Sequence, residues 1–243
     1  MDVDFTTLNA CGGDCSGCEH YTGGYCAGCR ANGGKCVKMW EHGCEICRCC
    51  IEHDVPFCGL CTEFPCTFIS DKLTEWNRVG IKRQEQLAEE YRGRKADFAP
   101  YLTQLWDRIG SHGVMTLSTC AKERVTSRAM SVVVIDGKFL CQTGEGYLKY
   151  RQLQDNPHAA LCFGNFSIEG ICRILGHPTE HDTFLAAMRE HFPSAAERWS
   201  GQPFERVLEI TPTLIYSWVY EENIPYMEYY DLVNMTYRKE RKL

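Results

Sequence analysis

Thirteen of the 17 cysteines fall between Cys11 and Cys66, and that density sets the first chemical question. Four C-x-x-C pairs follow one another: Cys15/Cys18, Cys26/Cys29, Cys44/Cys47 and Cys58/Cys61. Cys11, Cys36, Cys49, Cys50 and Cys66 are interspersed among them. Two residues between thiols form a tight turn that aims both sulfurs at one ion, and two such turns complete a tetrahedral thiolate site. A secreted mini-protein would use this density for disulfides, whereas a reducing compartment keeps thiols free for metal. The opening MDVDFTT lacks the basic and apolar regions of an export signal. The expectation is therefore a cytoplasmic protein with a metal-binding front end, whose ligands come from Cys11, Cys15, Cys18, Cys26, Cys29, Cys44, Cys47, Cys49, Cys58, Cys61 and Cys66.

The paired turns favour zinc. A triplet spaced like Cys11-x3-Cys15-x2-Cys18, and a proline beside a ligand as in Pro65-Cys66, also suit a [4Fe-4S] cluster, which remains the alternative. His20, His42 and His53 are read as surface histidines, since surplus thiols make an imidazole ligand unnecessary.

A second candidate lies in TGEGYLKYRQLQDNP. A strand ends at Thr143, a glycine-rich turn follows, and a short helix begins with Lys149 in its first turns. Helix starts present backbone N–H groups and a positive dipole end, so a lysine there makes a phosphate seat. On local sequence alone, the balance favours Gly144 and Gly146 as hairpin punctuation and Lys149 as a solvated side chain.

Three segments position these groups: a Cys-rich domain over 1–70, a helical connector over 71–96 and a β-rich domain over 97–243. Ser70 can cap a helix from Asp71, and IKRQEQLAEEYRGRK is polar nearly all round, as a connector should be. Asp97 can cap a further helix carrying Phe98, Leu102, Leu105, Trp106 and Ile109 on one stripe, with Gly110 as its stop. Strands are then expected over GVMTLSTC, TSRAMSVVVI, KFLCQT, HAALCFG, SIEGICRILG, VLEITP and LIYSWVY, with Asp136-Gly137 as a type I′ turn. Helices are expected only near 147–154 and 182–191. That pattern predicts a mainly β, α+β domain with a closed or partly closed barrel. Cys120, Cys141 and Cys162 read as small core residues, and the tail MEYYDLVNMTYRKERKL as a solvated terminus.

Charge narrows the partners. Lys and Arg total 26 against 32 Asp and Glu, and residues 1–70 hold 4 against 9. An acidic thiolate module repels phosphodiester backbones, so nucleic acid is excluded. No apolar run reaches the roughly 18 residues of a membrane span.

From about Gly113 to Tyr220 the chain resembles the FMN-binding split-barrel family that includes pyridoxamine 5′-phosphate oxidase. The resemblance rests on the Arg128 strand, Gln142-Thr143, the segment Lys149 through Asn156-Pro157 into His158–Phe163, the strand closing at Gly176, and Pro212-x-x-Ile215-x-x-Trp218. It implies an FMN phosphate held by Arg128 and Lys149, with Ser127, Met130, Ser131, Val132, Val133, Gln142 and Thr143 along the ribityl chain and ring. It also implies a homodimer with the cofactor at its interface, where Trp218 reaches the partner's flavin. Departures are equally informative: Leu148 stands where the oxidase has an arginine, Ile171 where it has a glutamine, and VYEENIPY follows Trp218 in place of an Arg-x-His pair. Vitamin B6 is accordingly not the expected substrate. The front end resembles an uncharacterised cysteine-rich domain through CGGDCSGC, CAGCR and CGLCTEFPC. The expected function is an FMN-dependent oxidoreductase acting on a small or aromatic molecule. The alternative is a non-catalytic flavin-binding or metal-responsive protein whose Cys-rich module mediates contact or redox sensing.

Overall fold

The computed structural model describes residues 3–29, 34, 43–76 and 80–242. The chain divides into two compact units, Met1–Asp97 and Phe98–Leu243.

The first unit contains α1 (Glu19–Thr22), α2 (Glu45–Glu52), a single 3-10 turn over Cys58–Leu60, α3 (Thr67–Trp76) and the start of α4 (Ile81–Ile109). Its core is small and sulfur-rich: Ile46, Cys47, Cys50, Cys58 and Ile69 are buried together. Phe5, Phe57 and Tyr91 form a second apolar group, with the Phe57 and Tyr91 rings edge to face at 5.8 Å. Gln84 ties the loops to α4. Fully buried, it accepts from the Gly59 N–H at 2.8 Å and donates to the Ala10 carbonyl at 3.4 Å. A side chain at Gly59 would bring Cβ within 2.4 Å of the Gln84 carbonyl oxygen, so only glycine permits this approach.

Asp97 does not cap a new helix. It lies inside α4, which runs on through Pro100 to Ile109. Gly110, at φ +78°, ends the helix and donates its N–H to the Trp106 carbonyl at 2.8 Å. The expected stripe is real in the second unit: Phe98, Leu105 and Ile109 are buried, and Trp106 packs on Phe139.

Eight antiparallel strands make up the second unit: β1 (His112–Ala121), β2 (Arg124–Ile135), β3 (Lys138–Gly144), β4 (His158–Phe163), β5 (Phe166–Ile174), β6 (Glu205–Glu221), β7 (Ile224–Asp231) and β8 (Thr236–Arg241). Their order is β3-β2-β1-β4-β5-β6-β7-β8, and β3 also pairs with β6, which closes a six-stranded barrel and leaves β7 and β8 as an extension. Asp136 and Gly137 both have positive φ, as a type I′ turn demands.

Two sequence expectations are corrected here. VLEITP and LIYSWVY are one 17-residue strand, β6. Pro212 is accommodated because the β5–β6 register shifts between Glu169 and Gly170, opposite the proline. The C-terminal tail is not a solvated end but forms β7 and β8. There Arg238, Lys239 and Lys242 lie over the rings of Tyr229 and Tyr226, so the cations cover aromatic surface instead of dispersing into water.

Helices α5 (Leu148–Asp155), α6 (Asp182–His191) and α7 (Pro193–Trp199) interrupt the strands. Phe184, Met188 and Ala196 from α6 and α7 pack on Val133, Leu140 and Val207 of the barrel wall. Cys141 is a core residue as expected, whereas Cys162 is exposed and Cys120 only half-buried. Alternation along β4 turns Cys162 outward, between the inward-facing Leu161 and the strand end. Among the described residues no helix is long and apolar enough to cross a membrane.

Candidate functional site

Between β2, β3, α5 and the α6–α7 pair lies a pocket of about 210 Å³. Met130 and Ser131 line it from β2, Gln142 and Thr143 from β3, Tyr147 and Lys149 from the turn and start of α5, Met188, Ala195 and Trp199 from the helical pair, and Glu205 from the first position of β6. Local sequence explains its floor. Gly144 lets the chain turn against Phe204 and Tyr147, whose rings a Cβ there would meet at 3.0 and 3.1 Å. Gly146, by contrast, faces open space.

Five of the anticipated cofactor residues therefore meet in one place: Met130, Ser131, Gln142, Thr143 and Lys149. Thr143 is 3% exposed and its Oγ1 has no hydrogen-bond partner. The Lys149 ammonium lies over the Tyr147 ring, 4.5 Å from its centroid. Burial, then the Arg128 charge, holds the lysine below its usual pKa. Gln142 accepts from the Ser200 hydroxyl at 2.8 Å, which fixes its amide in the wall.

The remaining expected residues lie elsewhere. Arg128 is adjacent rather than lining: it donates to the Thr119 hydroxyl at 2.8 Å and the Leu117 carbonyl at 3.2 Å, and also contacts Thr126. Gln152 of α5 accepts from both threonine hydroxyls at 2.7 Å, so the arginine is seated against the helix that bears Lys149. Ser127 points to solvent, paired with Ser118 at 2.8 Å. Val132 and Val133 are fully buried in the barrel. Trp218, 44% exposed, sits toward the far end of β6 from Glu205.

Glu205, Tyr147, Met188, Ala195 and Trp199 were not anticipated. Glu205 is 3% exposed, its Oε2 is unpartnered, and burial raises its carboxyl above the ordinary range against the opposing pull of Lys149 and His177. Trp199 lies on α7, a helix not read from the sequence.

In the first unit the sulfurs gather in two groups. Cys29 feels the charges of Cys15, Cys11, Cys44 and Cys47, and burial with those neighbours pushes its thiol up to about 12. Cys49, Cys50, Cys58, Cys61 and Cys66, with His53, line a small apolar cleft. Cys44 and Cys47 thus fall in one group and Cys49 and Cys50 in the other, although all four belong to α2 or its N-cap. Cys18 caps the start of α1, and Cys18 and Cys26 are both half-buried. Cys50, omitted from the expected ligands, is buried beside Cys58. Cys36 and His42 lie outside the described residues. Among the described residues no three His, Cys, Asp or Glu side chains are arranged to hold a metal ion.

A closed six-stranded antiparallel barrel with two added strands defines the second unit as a split barrel. Residues 103–219 match the family model of pyridoxamine 5′-phosphate oxidase. No curated protein matches the chain. Among solved structures, general stress protein 26 from Bacillus anthracis is 20% identical, over 44% of this chain and 84% of its own, with a TM-score of 0.36. A pyridoxamine 5′-phosphate oxidase-related, FMN-binding protein from Nostoc punctiforme is 16% identical, over 53% and 86%, with a TM-score of 0.39. HutZ, the heme storage protein from Vibrio cholerae, is 14% identical, over 41% and 80%, with a TM-score of 0.37.

The pocket's residues fit the phosphate end of a flavin nucleotide. An orphaned buried hydroxyl at Thr143 and two neighbouring cations, Lys149 and Arg128, form a donor set suited to a phosphate. At about 210 Å³ it is smaller than the roughly 300 Å³ at which small-molecule pockets begin.

Proposed function

We propose that the barrel binds FMN and works as an FMN-dependent oxidoreductase on a small or aromatic substrate other than vitamin B6. The observation carrying this reading is the convergence of Lys149, the Arg128 charge and the unpartnered Thr143 hydroxyl, in a segment matching this family. Lys149 and Arg128 would hold the phosphate and Thr143 would donate to it, while Met130, Ser131 and Gln142 flank the remainder. Bound FMN would supply the redox chemistry, taking up and passing on electrons or hydride. Around it the chain's own task is to clamp, orient and exclude water, with Met188 and Trp199 as the apolar cover.

The small volume of the single-chain pocket and the exposure of Trp218 and Tyr220 support a homodimer in which a second copy completes the cofactor site. Light scattering would then read twice 27.8 kDa. For the first unit we propose zinc as the ion held by the thiols, with an iron–sulfur cluster as the alternative. The support is the soft donor set in the two sulfur groups.

The experiment is reconstitution with FMN followed by anaerobic reduction with NAD(P)H or dithionite. A yellow protein that bleaches and is reoxidised by a defined acceptor supports the oxidoreductase. A protein that holds FMN but turns over with no acceptor becomes a flavin-binding protein without catalysis, and one that takes up no FMN removes the reading altogether.

A further inference from the structure

A phosphate seat has no need of Glu205. The residue opens β6 opposite Gly144 of β3, its N–H donates to the Gln202 carbonyl at 3.0 Å, and its side chain enters the pocket with Oε2 buried and unpartnered. No ion pair joins it to Lys149, whose ammonium is turned onto Tyr147. The charged and titratable groups around it are Lys149 from α5, His177 from the connection after β5, and Cys141 from β3. The adjacent Arg206 is engaged by Glu145 at 2.8 Å, and Arg128, beside the pocket, acts on Lys149 through its charge.

An ionised carboxylate in that wall would repel a dianionic phosphate at Lys149, and around a side chain only 3% exposed the repulsion is screened less than in water. A buried carboxyl without a partner also disfavours its own charged form. Protonation removes the repulsion and turns an acceptor into a donor. We propose that Glu205 is a proton-gated donor in the pocket: the phosphate-bearing flavin binds the form in which Glu205 carries a proton, and Oε2–H donates to the ligand. This makes Glu205 a specificity-determining residue that ties flavin occupancy to pH. The inference rests on the FMN reading above.

The sign follows directly. Second ionisation of the phosphate, at about pH 6, strengthens binding as pH rises, whereas loss of the Glu205 proton weakens it. Wild-type affinity should therefore pass through a maximum and fall on the alkaline side before Lys149 titrates. The Glu205→Gln variant keeps a donor and loses the charge, so its alkaline fall should shift to the region where Lys149 deprotonates. Fluorescence titrations with FMN from about pH 5 to about pH 9 would show the variant binding roughly tenfold more tightly than wild type on the alkaline side, the ratio that one pKa unit represents.

Calorimetry of the wild-type protein alone, in buffers of different ionisation enthalpy, supplies a reading that needs no variant. On the alkaline side of the maximum, binding should take up about one proton, a value near zero overturns the gate, and so does a Glu205→Gln profile superimposable on wild type. If FMN binds at no pH, the gate and the proposed function fall together. If it binds without proton uptake, only the gate falls.

Discussion

At the residue scale, Lys149 is a cation held in an environment that disfavours its charge until an anion arrives. Lys149→Met should weaken FMN binding by loss of a charge-assisted hydrogen bond, about 1.5–3 kcal/mol or some tenfold to a hundredfold in Kd. The ligand-free barrel should melt no earlier, because the variant removes a desolvated charge; fluorescence titration and thermal unfolding check the two halves. A different carboxylate shows the opposite electrostatics. Burial works against ionisation of Glu228, yet hydrogen bonds from Arg108 at 2.7 Å and Tyr237 at 2.8 Å, with the arginine's charge, hold its pKa below the ordinary 4.5. A depressed carboxyl contributes stability that is complete above its unfolded pKa and lost as pH falls through the folded one. Arg108→Met should cost about 1–3 kcal/mol at neutral pH and move acid unfolding to higher pH, as circular dichroism during acid titration would show. Lys149 and Thr143 were legible through the family resemblance; the contiguous strand, turn and helix start alone favoured a solvated lysine. Glu205 was not: only the pairing of β3 with β6, which sets it opposite Gly144, takes that carboxyl out of water.

At the scale of elements, the β5–β6 bulge is where the barrel wall accommodates Pro212. Pro212 has no N–H for the ladder, and the register shift beside Gly170 absorbs the missing bond. A Cβ on Gly170 would lie 2.5 Å from the Thr211 carbonyl oxygen, backbone that cannot move without disturbing the ladder. Gly170→Ala should therefore destabilise by about 1–3 kcal/mol. Gly146→Ala, with nothing within 4 Å of its Cβ, should stay within about 0.5 kcal/mol of wild type. Urea titrations of the two variants make the comparison, and equal midpoints would remove the bulge from the account. The hairpin at Asp136-Gly137 was readable because two consecutive positive φ angles are a local demand of the turn. The C-terminal pair β7–β8 was not, because its cover comes from Arg and Lys side chains laid across tyrosine rings, a pattern that in one dimension looks like a charged tail. The continuity of α4 escaped for a similar reason: Asp97 carries the local mark of a helix start, and the structure continues through it and through Pro100.

On the scale of the whole molecule, the two units owe their order to different physics. The barrel buries large aliphatic and aromatic side chains such as Met115, Leu117, Phe139 and Ile168. In the first unit, three of the six residues of the buried cluster Ala10, Ile46, Cys47, Cys50, Cys58 and Ile69 are cysteines. A thiol contributes little more apolar area than a methyl-sized group, so a core built on cysteines gains less from burial than the barrel's core does. Thiols kept protonated by burial, and by the repulsion that neighbouring thiolates would exert, are also a poor stand-in for thiolates neutralised by a divalent ion, whose binding free energy becomes folding free energy. Purified protein should therefore carry zinc and show two thermal transitions. Chelation should lower the transition of the first unit alone and leave both the barrel's melting and its FMN affinity in place. A brown protein containing iron and labile sulfide would replace zinc by the cluster. Metal-free protein whose two transitions ignore the chelator would show that the sulfur-rich core is held by packing alone.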